Sequence, residues 1–253
     1  MTDAAAVLLP HAPEVIHDLI GALVPGRALL VLGNSGGIAG YAGTLIAGAI
    51  AGAQIIQAEA GVDAAHRLVE AGQRCIIVAK GPFAASITRL ASAPRAWAGR
   101  IGAIAAFGGY IRALCPQCAC PATTVTPNGR RLAEAWSIDP ATTLEPGTPP
   151  ACGGCHGTGR QTVRPACFRC CVLGEDLRAL PLTDAAREIE ALFAPDSAHA
   201  HARRAAAAQR TGGVRLWSPA DDLRARVRAG AMSLDDAAQA AWDDAFPKYR
   251  LAI

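Results

Sequence analysis

Two CxxC knuckles carry the plainest chemistry in this sequence: Cys115 and Cys118 in CPQC, and Cys152 and Cys155 in CGGC. Each knuckle can put two thiolates on one ion, and two knuckles together can close the tetrahedral four-sulfur shell that zinc prefers. The joining segment 119–151 is longer than in the commonest zinc ribbons, yet the chain can still close such a site. With every position filled by thiolate none is left for water or substrate, so the expected role is structural rather than catalytic. The plainer alternative is a pair of turns with free thiols. Cys120, Cys167, Cys170 and Cys171 could form a second site, because CFRCC contains its own CxxC; small buried core cysteines account for them equally well. Cys75 lies inside an apolar run and reads as inert core. His156 reads as a solvated bystander, and Gly157 and Gly159 as a means of turning the chain back after the knuckle.

The second chemical feature is RALLVLGNSGGIAGYAGTL, residues 27–45, which reads as a strand, a glycine turn and a helix. This is the layout of a phosphate-binding loop, whose amides wrap phosphates while a lysine neutralises them and a Ser/Thr hydroxyl meets magnesium. The pattern falls on Gly33, Asn34, Ser35, Gly36, Gly37, Ile38, Ala39 and Gly40. Ala39 stands at the lysine position and Gly40 at the hydroxyl position. An ammonium near the turn could come only from Lys80 or Lys248, the chain's lysines.

Apolar runs at 28–32, 54–58 and 75–79 have the character of strands covered on both faces. Helix-length segments at 42–53 and 62–71 separate them, and 86–90 opens another helix. The N-terminal part is therefore expected to be a parallel α/β unit. The proline-rich stretch DPATTLEPGTPPACGG reads as an irregular connector, and the chain after Leu180 as Ala- and Arg-rich helix. Ser218, Pro219 and Asp221 mark a helix start that Gly230 closes. Ser233 with Asp236 three residues later reads as an acidic variant of the capping box.

The 253 residues are 51% apolar, enough for a sizeable core, and the formal net charge of +3 is too small to imply nucleic acid as a partner. The N-terminus has no basic region ahead of an apolar core and is interrupted by Pro10, so a cytoplasmic location is expected. Nine cysteines in such a chain read as metal ligands, reactive thiols or core rather than disulfides. The charge-free run 28–57 raises a membrane span as an alternative, but its glycines with Asn34 and Ser35 suit a buried strand, turn and helix better.

CGGCHGTGR looks like one zinc repeat of the J-domain co-chaperones, a family that needs several in tandem. A broader likeness lies in the order of features: PGRALLVLG, AASITRL (84–90), IRALCPQC, CGGCHGTGR and VRLWSPADDLRARVRAGAMSLDDAA. Together they resemble the C-terminal motor region of the type II secretion and type IV pilus assembly ATPases. The resemblance implies a RecA-like parallel sheet core over residues 1–113, a four-cysteine zinc module over 114–172 and a C-terminal helical region over 173–253. Against the family's GPTGSGKST, this chain keeps Gly33, Ser35 and Gly36 and lacks the lysine and hydroxyl. The acidic Walker B stretch survives only as AEAGVD, around Glu59 and Asp63. Lys80 stands near the family's histidine position, and the aspartate-rich segment between the glycine loop and the Walker B strand has no room.

Charge-assisted contacts are worth about twice neutral ones, and phosphoryl transfer depends almost wholly on them. ATP is therefore not expected as a cofactor, and no catalytic residue is assigned. The resemblance implies a structural or regulatory subunit of a secretion or pilus machine, holding structural zinc. Its partners would be itself, an intact ATPase of the family, or the inner-membrane assembly platform at whose cytoplasmic face it would sit. Two alternatives remain: an ATPase completed in trans by a partner, and a short-chain-dehydrogenase-like dinucleotide-binding protein. In the second, Glu59 would grip a ribose hydroxyl, though Tyr110 lacks a lysine four residues on.

Overall fold

The computed structural model describes residues 8–9, 11–33, 35–80, 100–147, 152–173, 180, 184, 216–217 and 219–242. The chain divides into two compact units, each assembled from separated segments: Met1–Gly108 with Cys167–Ser218, and Gly109–Ala166 with Pro219–Ile253. The four knuckle cysteines and the two C-terminal helices belong to the same unit. The helix expected at 86–90 lies outside the described residues, as does most of the Ala- and Arg-rich helix expected after Leu180, and so do Asn34 and Lys248.

In the first unit, helix α1 (Pro13–Ala22) precedes strand β1 (Ala28–Gly33), helix α2 (Gly36–Gly48), strand β2 (Gln54–Gln57), helix α3 (Ala58–Glu70) and strand β3 (Cys75–Lys80). Two longer strands, β4 (Ile101–Leu114) and β7 (Arg160–Val172), and the two-residue β8 (Leu216–Trp217) complete a sheet of order β2-β3-β1-β4-β7-β8. The pairs β1 with β3, β1 with β4 and β2 with β3 are parallel, whereas β8 runs antiparallel to β7. All of β1 is buried, and alternation divides it between two cores. Leu29 and Val31 pack with Ile16, Leu19, Ile38 and Ile46, while Leu30 and Leu32 pack with Ala65, Val69, Cys75 and Ile77. Burial on both faces is why β1 and β3 read as unbroken apolar runs.

Five glycines make α2 a poor helix by intrinsic propensity, so packing must hold it. Its buried residues Ile38, Ala39, Ala42, Gly43 and Ile46 recur at helical spacing. At Gly43 the helix comes so close to β3 that an added Cβ would meet Val78 Cγ2 at 2.7 Å. The charge-free run thus folds as strand, turn and helix, and no described helix is long and apolar enough to cross a membrane.

The second unit contains the ends of β4 and β7, a hairpin of β5 (Ala119–Pro121) with β6 (Leu144–Pro146), and helices α4 (Pro127–Trp136), α5 (Pro219–Arg228) and α6 (Leu234–Trp242). The proline-rich connector is thus partly ordered, with a single 3-10 turn at Pro140–Thr142 followed by β6. Pro146 ends its strand in a two-stranded sheet, where a missing N–H is tolerated. The apolar core is Leu132, Ala133 and Trp136 of α4, Leu223 and Val227 of α5, Met232, and Leu234, Ala237 and Ala238 of α6.

Gly230 and the pair Ser233 and Asp236 have direct physical counterparts, whereas Ser218 lies outside the described residues. Gly230, at φ 68°, follows α5 in a Schellman turn: its N–H bonds the Val227 carbonyl and the Ala231 N–H bonds that of Arg226. Ser233 Oγ accepts the Asp236 N–H at 3.1 Å and donates to Asp236 Oδ2 at 2.7 Å, the expected capping pair. Asp236 also holds Arg160 Nε at 3.1 Å, and Asp235 accepts from the Thr126 hydroxyl at 2.6 Å, tying α6 to the starts of β7 and α4. Ser233→Ala is expected to cost about 1 kcal/mol, read as a lower urea midpoint at unchanged m value.

Candidate metal centre

The four knuckle cysteines converge. Cys115, Cys118, Cys152 and Cys155 bring their sulfurs within 4.8 Å of one another. Two separations that cross between the knuckles are Cys115 to Cys152 at 3.8 Å and Cys118 to Cys155 at 3.5 Å. Zinc–sulfur bonds of ~2.3 Å in a tetrahedron require sulfurs about 3.8 Å apart, so the donor set fits a four-thiolate ion. Cys115, Cys118 and Cys155 are buried, and Cys152 is half-buried.

Local hydrogen bonds shape each knuckle. The N–H groups of Cys118 and Ala119 both bond the Cys115 carbonyl, turning the first knuckle tightly. The His156 N–H closes the second on the Cys152 carbonyl, and the Cys115 N–H bonds the Gly159 carbonyl. Gly157 and Gly159 have φ of 78° and 65°, the left-handed backbone expected where the chain doubles back. His156 is exposed and lies outside the sulfur cluster, as a bystander would.

The thiols share protons unequally. Hydrogen bonding from Cys118, helped by the Gly154 and Cys155 amides, pulls the Cys152 thiol down to about 6. Its bond to Cys152, together with desolvation, pushes the Cys118 thiol well above the ordinary value. A thiolate at Cys152 is thus favoured near neutral pH before any metal arrives, which lowers the proton cost of binding a cation. By contrast, burial in the sheet core pushes Cys75 up to about 12 and leaves it inert.

Among the described residues, Cys120 is not part of the cluster. Cys120 donates weakly to the Glu145 carbonyl at 3.8 Å. Cys167, Cys170 and Cys171 lie in β7, where an extended backbone carries residues three apart to about 10 Å. The CxxC within CFRCC is therefore not folded as a knuckle. Sequence reasoning did not anticipate Gln117 and Gln161 beside the sulfurs: Cys152 Sγ donates to Gln117 Oε1 at 3.3 Å, and Gln161 Nε2 approaches Cys115 Sγ at 3.7 Å.

The glycine turn occupies the carboxyl end of β1, but it is closed. Gly33 ends the strand, and Ser35 is the N-cap of α2, its hydroxyl accepting the Ile38 N–H at 3.2 Å. The Ala39 N–H bonds the Ser35 carbonyl, and Gly36, Gly37, Ile38, Ala39 and Gly40 are already helical. A Cβ on Gly33 would meet Ala39 N at 2.7 Å. Lys80 ends β3 as the register partner of Gly33. Glu59 sits in the first turn of α3, just past β2, and Asp63 is exposed on the same helix. Strand β3 separates β2 from β1, unlike the dinucleotide-binding order in which the second strand adjoins the first. Comparison with known proteins found no family model and no curated protein matching the chain.

Proposed function

We propose that this chain is a zinc-stabilised structural or regulatory subunit, a shortened relative of the type II secretion and type IV pilus assembly ATPases that does not hydrolyse ATP. The closed glycine turn is the observation that carries the loss of catalysis. Amides of residues 38 and 39 are spent on Ser35, and the helix begins where the phosphate cradle would need open loop. With no lysine at position 39 and no hydroxyl at 40, the charge that phosphoryl transfer requires is also lacking.

The parallel strands β1 to β4, with β3 between β1 and β2, agree with the parallel α/β core this reading needs. Zinc is favoured by the four-thiolate donor set and its tetrahedral spacing. The partners that suit this reading are a second copy, an intact ATPase of the same family, and the platform protein at the cytoplasmic face of the inner membrane.

Titration with a fluorescent ATP analogue in magnesium is expected to show no saturable binding in the micromolar range. A micromolar Kd would overturn the loss of nucleotide function and favour an ATPase completed in trans. Affinity purification with the corresponding ATPase and platform protein tests the partner assignment; retention of neither would reject the secretion or pilus role.

A further inference from the structure

Two glutamine amides converge on the sulfur cluster from different parts of the chain. Gln117 lies within the first knuckle and Gln161 near the start of β7. Gln161 Nε2 donates to the Gly154 carbonyl at 3.1 Å while approaching Cys115 Sγ at 3.7 Å, so one amide bridges both knuckles. Gln117 Oε1 accepts from Cys152 Sγ at 3.3 Å, a second bridge between them. Both amides press on Gly154, where an added Cβ would lie 3.2 Å from Gln117 Oε1 and 3.2 Å from Gln161 Nε2. A glycine at that place in CGGC leaves the room they occupy.

Four thiolates around a divalent cation leave a net charge of about −2. N–H groups aimed at the sulfurs offset that charge, and such outer groups tune metal sites nearly as strongly as the ligands themselves. Gln161 is already oriented to donate. The Gln117 amide lies 3.3 Å from Cys152 Sγ, and its terminal torsion lets either the oxygen or the N–H face that sulfur.

We propose that Gln117 and Gln161 are positioning residues of the metal centre, together supplying amide N–H donors to the bound thiolates. This rests on the reading of the four cysteines as a zinc site. The pair also strap the two knuckles together before binding, so the site's closure does not depend on the ion alone.

The wild-type chain loaded with cadmium-113 provides a direct test, because an N–H···S hydrogen bond transmits scalar coupling from the metal to the amide proton. Coupling to the side-chain amide protons of both glutamines is expected. Gln117→Glu and Gln161→Glu put a carboxylate against the thiolates, and each is expected to weaken zinc binding 10- to 100-fold in competition with a chromophoric chelator. Gln73→Glu, which makes the same charge change in the other unit, should leave affinity unchanged. Absence of coupling at both amides, or unaltered zinc affinity in both glutamate variants, would overturn the proposal. Failure of the wild-type chain to bind zinc, or cobalt without thiolate charge-transfer absorption, would instead reject the metal site on which it rests.

Discussion

Replacing Cys152 with serine is expected to abolish stoichiometric zinc binding and to unfold the cysteine-rich unit. A serine hydroxyl does not ionise near neutral pH, so the site keeps three sulfur ligands and loses the thiol most readily deprotonated. Structural zinc in finger-sized folds binds with an apparent ~10–16 kcal/mol that is largely folding free energy. Among the described residues of this unit, the apolar clusters are the small one of α4, α5 and α6 and that of the four cysteines. Elemental analysis should return about one zinc per wild-type chain and none from Cys152→Ser. Chelator should markedly lower the thermal midpoint of the wild type and leave the variant unmoved. An unchanged wild-type midpoint in excess chelator would show that the fold does not lean on metal. The pH dependence has a definite sign: protons compete with the metal for thiolates, so zinc affinity should fall as pH drops through about 6, where Cys152 regains its proton.

Breaking the ion pair inside α5 should be the next most damaging change. Arg226 Nε meets Asp222 Oδ2 at 3.0 Å, with the side chains only 3% and 2% exposed, and Asp222 Oδ1 has no hydrogen-bond partner. Burial pushes the Asp222 carboxyl above its ordinary value, outweighing the downward pull of Arg226. Arg226→Met leaves the acid buried without its cation and is expected to cost ~3–5 kcal/mol. The double variant Asp222→Leu with Arg226→Met removes both charges and should recover most of that loss. Urea unfolding of wild type, both single variants and the double variant measures the coupling. Additive losses would show that the pair contributes no mutual stabilisation. Because the folded protein holds the Asp222 proton more tightly than the unfolded chain, this residue favours folding most at low pH. Its contribution declines as pH rises from the ordinary carboxylate range through the raised value.

Local rules made several features readable in advance. The two knuckles announced themselves because a CxxC turn is specified within four residues, and the fold had only to bring one to the other. Runs such as ALLVL and CIIVA were readable as strands because burial on both faces removes polar residues altogether. Ser233 with Asp236, and Gly230 after α5, are short-range backbone chemistry that survives in any context. The full lengths of β4 and β7 were not evident: IGAIAAFGGYIRAL contains paired glycines and an arginine, and RQTVRPACFRCCV contains an internal proline. Their pairing depends on partners distant in sequence. The start of α2 was obscured for another reason, since a glycine-rich segment suggests open loop until Ser35 is known to cap it. Gln117 and Gln161 carried no signal, because glutamine acquires meaning here only from the sulfurs that tertiary structure places beside it.

The way the chain passes between its two units has a consequence for biosynthesis. Crossings fall at 108/109, 166/167 and 218/219, and Thr126 must find Asp235, 109 positions further along. The cysteine pairs emerge from the ribosome well before α5 and α6, so an ion could be captured by a nascent unit whose apolar core is still incomplete. Proteolytic protection of that unit should therefore arrive last, after release of the finished polypeptide. Neither unit can be liberated intact by a single cut.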